Sequence, residues 1–211
     1  DPGTGVNASA TVMIVNESVV TPSSSTSSSV TYEVTTALDD GPIPVNISIS
    51  DYTGNTTWNN WAFLVDTVAP NITIEKPTEG ENLTISTVWI NGTLIDPGSS
   101  GIDISTLVLR VNGTQQAVLT NQIGATLNYT YNCLVTLPDG NHNATVDVGD
   151  YAGNSAATAM VNFTVDTEAP YFTDWTPKGN ISDNTPWINA SFADPGTGVN
   201  ASATVMIVNE S

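Results

Sequence analysis

Basic residues are nearly missing from these 211 residues: three Lys and Arg stand against 21 Asp and Glu, giving a formal charge of -18. A chain so acidic repels nucleic acid and anionic membrane surfaces, so neither is an expected partner. Cysteine and histidine occur once each, as Cys133 and His142. A lone histidine with no serine or cysteine elbow beside it supplies no nucleophile–base pair, and no catalytic residue or enzyme is expected. Cys133 falls in register with Tyr129 and Tyr131, which predicts a buried thiol, an intermolecular disulfide being the other use for an odd cysteine. No apolar run approaches the roughly 20 residues that cross a bilayer, so no membrane insertion is expected within this segment. No segment carries a helical period either.

What is present is repetition. The eighteen residues Asp1–Ser18 recur unchanged as Asp194–Ser211, a period of 193 residues. A shorter and looser repeat lies inside it: Phe63-Leu64-Val65-Asp66-Thr67-Val68-Ala69-Pro70 returns as Phe163-Thr164-Val165-Asp166-Thr167-Glu168-Ala169-Pro170, a step of 100 residues. Asp40-Gly41, Asp51-Tyr52 through Asn55, and Trp89-Ile90-Asn91 with Asp96-Pro97-Gly98 are echoed by Asp139-Gly140, Asp150-Tyr151 through Asn154, and Trp187-Ile188-Asn189 with Asp194-Pro195-Gly196. Two sister units therefore alternate in a tandem array, which points toward a structural or adhesive role.

Each unit has the length of one β-sandwich, and period-two alternation fits that size. Asn46–Ser50, Asn71–Glu75, Asn82–Ser86 and Asn143–Val148 place apolar residues on one face and polar ones on the other. Strands are expected near 71–75, 82–95, 105–112, 116–119, 126–136, 143–149 and 157–166, separated by Asp, Pro and Gly turns. The order Asp-Pro-Gly-Ser-Ser-Gly-Ile (96–102), Leu-Pro-Asp-Gly-Asn-His (137–142), Asp-Tyr-Ala-Gly-Asn (150–154) and Phe-Thr-Val-Asp-Thr-Glu-Ala-Pro (163–170) resembles the bacterial and archaeal immunoglobulin-like repeats of cell-surface proteins. The resemblance implies an all-β chain of tandem immunoglobulin-like antiparallel β-sandwiches of about seven strands. On that reading residues 1–70 are the C-terminal part of a split domain, 71–168 a complete domain, and 169–211 the N-terminal part of the next. Head-to-tail copies of the chain are the expected partners, and strand donation is the way separate copies would complete the split domain.

Asparagine supplies the second signal. Of 22 Asn, 15 precede x-Ser/Thr: Asn7, Asn16, Asn46, Asn55, Asn71, Asn82, Asn91, Asn112, Asn128, Asn143, Asn162, Asn180, Asn189, Asn200 and Asn209. With 50 Ser and Thr in the chain, chance pairing gives about five. Positions i and i+2 share one face of a strand, so each Asn and its hydroxyl partner are expected to face solvent together, as covalent N-glycans require. The segment Thr21–Ser29 is a flexible loop or an O-glycan carrier.

Carboxylates at strand ends raise structural calcium as the one cofactor to consider. The candidates are Asp51, Asp66, Asp150 and Asp166, each of which equally suits a turn in which Asp accepts backbone hydrogen bonds. The matched Trp89 and Trp187 read as packing residues and Trp58 as the exposed aromatic. Together these features predict a heavily N-glycosylated, extracellular cell-surface repeat protein forming a stalk, filament, sheath or surface layer, with sequon density pointing to an archaeal surface. An adhesin binding a host, cell or glycan receptor is the alternative, and spacer domains of a secreted enzyme come third.

Overall fold

The computed structural model describes residue 3 and residues 5–208. Six strands come first: β1 (Val6–Val15), β2 (Ser18–Val20), β3 (Ser24–Ser25), β4 (Val30–Thr31), β5 (Gly41–Asp51) and β6 (Thr56–Val65). One antiparallel sheet runs β2-β1-β5-β6, while β3 and β4 pair only with each other. Val15, Ile43 and Val45 are its buried centre, covered by Met13, Val20, Tyr32, Leu38 and Val65.

Nine strands follow: β7 (Asn71–Lys76), β8 (Glu81–Leu83), β9 (Thr87–Ile95), β10 (Ile102–Val111), β11 (Thr114–Gln115), β12 (Leu119–Gln122), β13 (Tyr129–Thr136), β14 (Gly140–Asp150) and β15 (Ala159–Val165). They form two sheets, β12-β13-β9-β7 and β11-β10-β14-β15-β8. The alternation seen in the sequence decides which side chains meet. From one sheet come Val88, Ile90, Leu94, Tyr131 and Cys133, and from the other Leu109, Val111, Ala144, Val146, Val161, Phe163 and Val165, in one continuous buried core. Burial also raises the Cys133 thiol pKa, so it behaves as a small apolar side chain. The core needs a glycine at one close approach. A Cβ on Gly92 would lie 1.8 Å from the Thr73 carbonyl oxygen, beside which the buried Tyr131 hydroxyl donates to the same oxygen at 3.0 Å.

The expected strand 82–95 is two elements that belong to different sheets. Near Thr84–Ser86 the chain crosses between layers: β8 lies parallel to β15, pairing Glu81 with Phe163 and Leu83 with Val165, and β9 joins β7 and β13. The middle sandwich accordingly has nine strands where about seven were expected, because β8 and β11 are short edge additions. Beyond it, β16 (Tyr171–Thr176) and β17 (Asn189–Ala193) pair in isolation, and Ala201–Ala203 is a 3-10 turn rather than strand.

Candidate functional site

The recurring aspartates hold turns and joints. Asp51 closes its own turn, accepting from the Asn55 side chain at 2.6 Å and from the Thr53 and Asn55 amides at 2.8 Å each. The Asn55 side chain, then the Thr53 side chain, hold the Asp51 carboxyl down at about 2. Asp150 does the same with Asn154, whose amide donates at 2.8 Å and whose Nδ2 donates at 2.9 Å. Asp40 and Asp139 accept from the hydroxyls of Thr67 and Thr167, each at 3.0 Å. The fixed order of landmarks is therefore a set of paired caps.

Two of these aspartates reach across a joint. The Asp66 carboxylate at the end of β6 accepts the amides of Ser99 at 3.1 Å and Ser100 at 2.7 Å, both in the loop before β10. Asp166, 100 residues later, accepts the Thr197 amide at 2.6 Å and its hydroxyl at 2.7 Å. The Thr197 amide and hydroxyl, followed by the Glu168 amide, keep the Asp166 carboxyl below the ordinary carboxylate range. Glycine is required opposite each: a Cβ on Gly98 would sit 2.3 Å from the Asp66 carboxylate, and one on Gly196 2.2 Å from that of Asp166. Asn154 adds a further tie at the first joint, its Nδ2 donating to the Asp66 carbonyl at 3.0 Å.

At the first joint three buried carboxylates converge. Asp66, Asp96 and Asp150 each bring one oxygen within 4.8 Å of the others. Asp96 is a ligand candidate that sequence reasoning missed, although its Asp-Pro-Gly landmark recurs at Asp194. Every carboxylate oxygen in the trio accepts a hydrogen bond, from Val68, Ser99 and Ser100 to Asp66, from Gly98 and Gly101 to Asp96, and from Asn154 to Asp150. Three like charges this close gain from a cation between them, and an all-oxygen set suits calcium. The cluster can thus hold a metal ion, with Asp66, Asp96 and Asp150 as its ligands. Asp51 and Asp166, the other two calcium candidates, lie outside this trio; Asp166 sits beside the loop of Asp194 at the second joint.

His142 is buried near the start of β14. Its Nε2 lies 2.8 Å from the Pro138 carbonyl and its Nδ1 2.9 Å from the Asn112 amide nitrogen, so both ring nitrogens are committed to structure. The aromatics depart from expectation more sharply. Trp89 stands on the outer face of β9 beside Leu134, and Trp187 is 92% exposed, so their matching does not come from packing in a core. Trp58, Trp61 and Trp175 are exposed as well. Among the sequon asparagines, Asn16, Asn55, Asn71, Asn82, Asn112, Asn162, Asn180, Asn189 and Asn200 are exposed, and Asn7, Asn46, Asn91, Asn128 and Asn143 are half-buried. Asn209 lies outside the described residues. The shared-face rule fails at Asn46, whose partner Ser48 is buried.

Comparison with known proteins places residues 98–167 in a match to the model of a Bacterial Ig-like domain. Halomucin of Haloquadratum walsbyi is 33% identical over 164 residues, covering 69% of this chain and 2% of halomucin. The chain therefore spans only about a fiftieth of that relative's length. Among solved structures, the fibronectin(III)-like modules of Clostridium thermocellum CbhA are 18% identical, with a TM-score of 0.41 over 77% of this chain and 80% of theirs. The S-layer protein rSbsC is 16% identical, with a TM-score of 0.30 over 83% of this chain and 22% of its own.

Proposed function

We propose that this chain is a stretch of an extracellular, N-glycosylated structural array in which immunoglobulin-like sandwiches follow one another head to tail as a stalk, filament, sheath or surface layer. Its units are residues 71–168, a complete sandwich, flanked by the closing part of one sandwich in 1–70 and the opening part of the next in 169–211. The observation that carries this reading is the repeated joint. Asp66 on residues 99–100 and Asp166 on residue 197 apply one device at two successive boundaries, which fixes how each unit is set on the last. The local likeness to halomucin supports an extracellular setting for such an array.

The denatured, deglycosylated mass of native material tests the array: a covalent product of several repeats is expected. A native product of a single repeat refutes a covalent array. Glycopeptide mass spectrometry tests the coat, with occupancy expected first at the exposed Asn16, Asn71, Asn82 and Asn180. Calcium titration followed by thermal unfolding tests the trio, and Asp96→Asn is expected to abolish any calcium-dependent rise in Tm. An adhesin is the second reading, favoured by the outward Trp89 beside Leu134 and by the exposure of Trp187. A glycan array probed with the native protein and with Trp89→Ala separates it from a purely structural role.

A further inference from the structure

Trp89 lies on the outside of the complete sandwich, and the next two residues on that face form a glycan acceptor. Burial alternates along β9: Val88, Ile90 and Leu94 point into the core, while Trp89, Asn91 and Thr93 share the outer face. Trp89 is 51% exposed and stands about 7 Å along the strand from Asn91. Leu134 is its partner across the sheet, and Lys76 is opposite Asn91. Beside Asn91 is an open hollow of about 260 Å³, bordered by Trp89, Leu83, Ile85, Lys76 and Glu81. The apolar side chains of Trp89, Leu134 and Ile85 are thus left uncovered on a face that is otherwise finished.

The acceptor nitrogen is uncommitted. Asn55 uses both Nδ2 hydrogens in its turn, donating to Asp51 at 2.6 Å and to Thr53 at 2.9 Å. Asn112 holds its Nδ2 2.9 Å from His142 Nδ1, and Asn162 donates from Nδ2 to Glu79 at 3.1 Å. The Asn91 side chain takes part in no hydrogen bond among the described residues. The sister unit keeps the arrangement: Trp187-Ile188-Asn189-Ala190-Ser191 matches Trp89-Ile90-Asn91-Gly92-Thr93. Ala stands for Gly and Ser for Thr, yet tryptophan and sequon stay together. Thr176 is opposite Asn189 as Lys76 is opposite Asn91. At Asn71, by contrast, the sister carries Tyr171 and no sequon.

We infer that the first sugars of an N-glycan on Asn91 lie on the Trp89 ring and fill the hollow toward Ile85, with Asn189 and Trp187 as the second instance. This deepens the array reading and rests on its N-glycosylation. The C–H bonds on one side of a pyranose carry partial positive charge and suit the electron-rich face of an indole, while Leu134 and Ile85 flank it. Lys76 and Glu81, ion-paired at 3.2 Å, stand at the rim and offer sugar hydroxyls an acceptor and donors. The tether names the occupant. A sugar bonded to Asn91 meets the ring at high effective concentration, whereas a free saccharide bears the full cost of association.

The whole chain, recovered from cells that glycosylate it, is compared with Trp89→Ala, Thr93→Ala and the double variant. Thr93→Ala removes the sequon and leaves Trp89 and Asn91 in place. Glycopeptide mass spectrometry is expected to find sugar on Asn91 of the unsubstituted chain. Magnetic resonance of that chain should show sugar ring protons shifted upfield by the indole, a shift lost in Trp89→Ala. It is read without any variant, so it stands whether or not a variant folds. Thr93→Ala should lower Tm more in the presence of Trp89 than in the Trp89→Ala background, a comparison that cancels its direct effect on the strand. Unshifted sugar protons on an occupied Asn91, or additive losses in Tm, overturn the contact. Sugar on Asn71 and Asn82 with Asn91 bare overturns it while the glycosylated array stands. Bare asparagine at every sequon refutes the coat and the contact with it.

Discussion

Val6–Val15 and Val199–Val208 are the same ten residues, VNASATVMIV, in two conformations. The first is β1, held between β2 and β5 with Met13 opposite Ile47 and Val15 opposite Val45. The second turns once as a 3-10 helix at Ala201–Ala203 and then leaves Val205, Met206, Ile207 and Val208 exposed. One local feature survives in both: the Ser hydroxyl donates to the Asn side-chain oxygen two residues earlier at 2.6 Å, Ser9 to Asn7 and Ser202 to Asn200. Identical propensity with opposite outcomes shows that the strand is made by its neighbour β5. The Asn-x-Ser turn is made by the decapeptide itself.

The largest change to this contrast should come from giving the second copy a neighbour. In a circular permutant, residues 71–211 followed by 19–70, Val199–Val208 precedes its own β2 and β5, and hydrogen exchange at Met206 and Ile207 should slow by about a thousandfold, as for amides entering a stable sheet. Removing the neighbour from the first copy should act almost as strongly. Val45→Asp places a charge where the side chain is buried, costs about 3 kcal/mol, and should release β1 to resemble Val199–Val208 by exchange, with the middle sandwich unaffected. A smaller break comes at the joint. Gly98→Ala forces the Asp66 carboxylate away from the Ser99 and Ser100 amides, at a cost of about 1–2 kcal/mol, visible as freer reorientation of the two units in residual dipolar couplings.

Acid gives a finer test. Asp51 is depressed to about 2 from 3.8, so its contribution is complete above about pH 4 and is lost as pH falls toward 2. Because Val6 pairs with Asp51, the start of β1 should fray over that window while Val199, which pairs with no strand among the described residues, is unchanged by it. Chemical shifts of Val6 and Val199 against pH check this. Smallest is the shared element: Asn7→Gln and Asn200→Gln both remove an exposed local bond and should each cost about 0.5 kcal/mol, equally in the two copies.

Much of the molecule was legible because its signals are local. Alternation in Asn71–Glu75 and Asn143–Val148 put the right residues inside, and each Asp-Tyr-x-Gly-Asn landmark marks a turn whose donors lie two to four residues from its Asp. What could not be read depended on distant chain. Nothing near Asp96 reveals that it meets Asp66 and Asp150. The break of 82–95 into β8 and β9 reflects the second sheet, whose β15 lies about eighty residues downstream. Trp89 was read as core because it recurs at Trp187, yet its neighbours Val88 and Ile90 already hold the inward positions, and alternation alone would have turned it outward.

The parallel rungs between β8 and β15 bear on how such a chain answers a pull. β8 lies near the entry of the middle sandwich and β15 at its exit, so tension applied through the flanking segments drags them past each other lengthwise. The rungs joining Glu81–Leu83 to Phe163–Val165 then share the load and must fail together, whereas an antiparallel hairpin pulled at its open end gives way one rung at a time. A row of such units would hold its length under force until a whole sandwich yields, and would lengthen in steps.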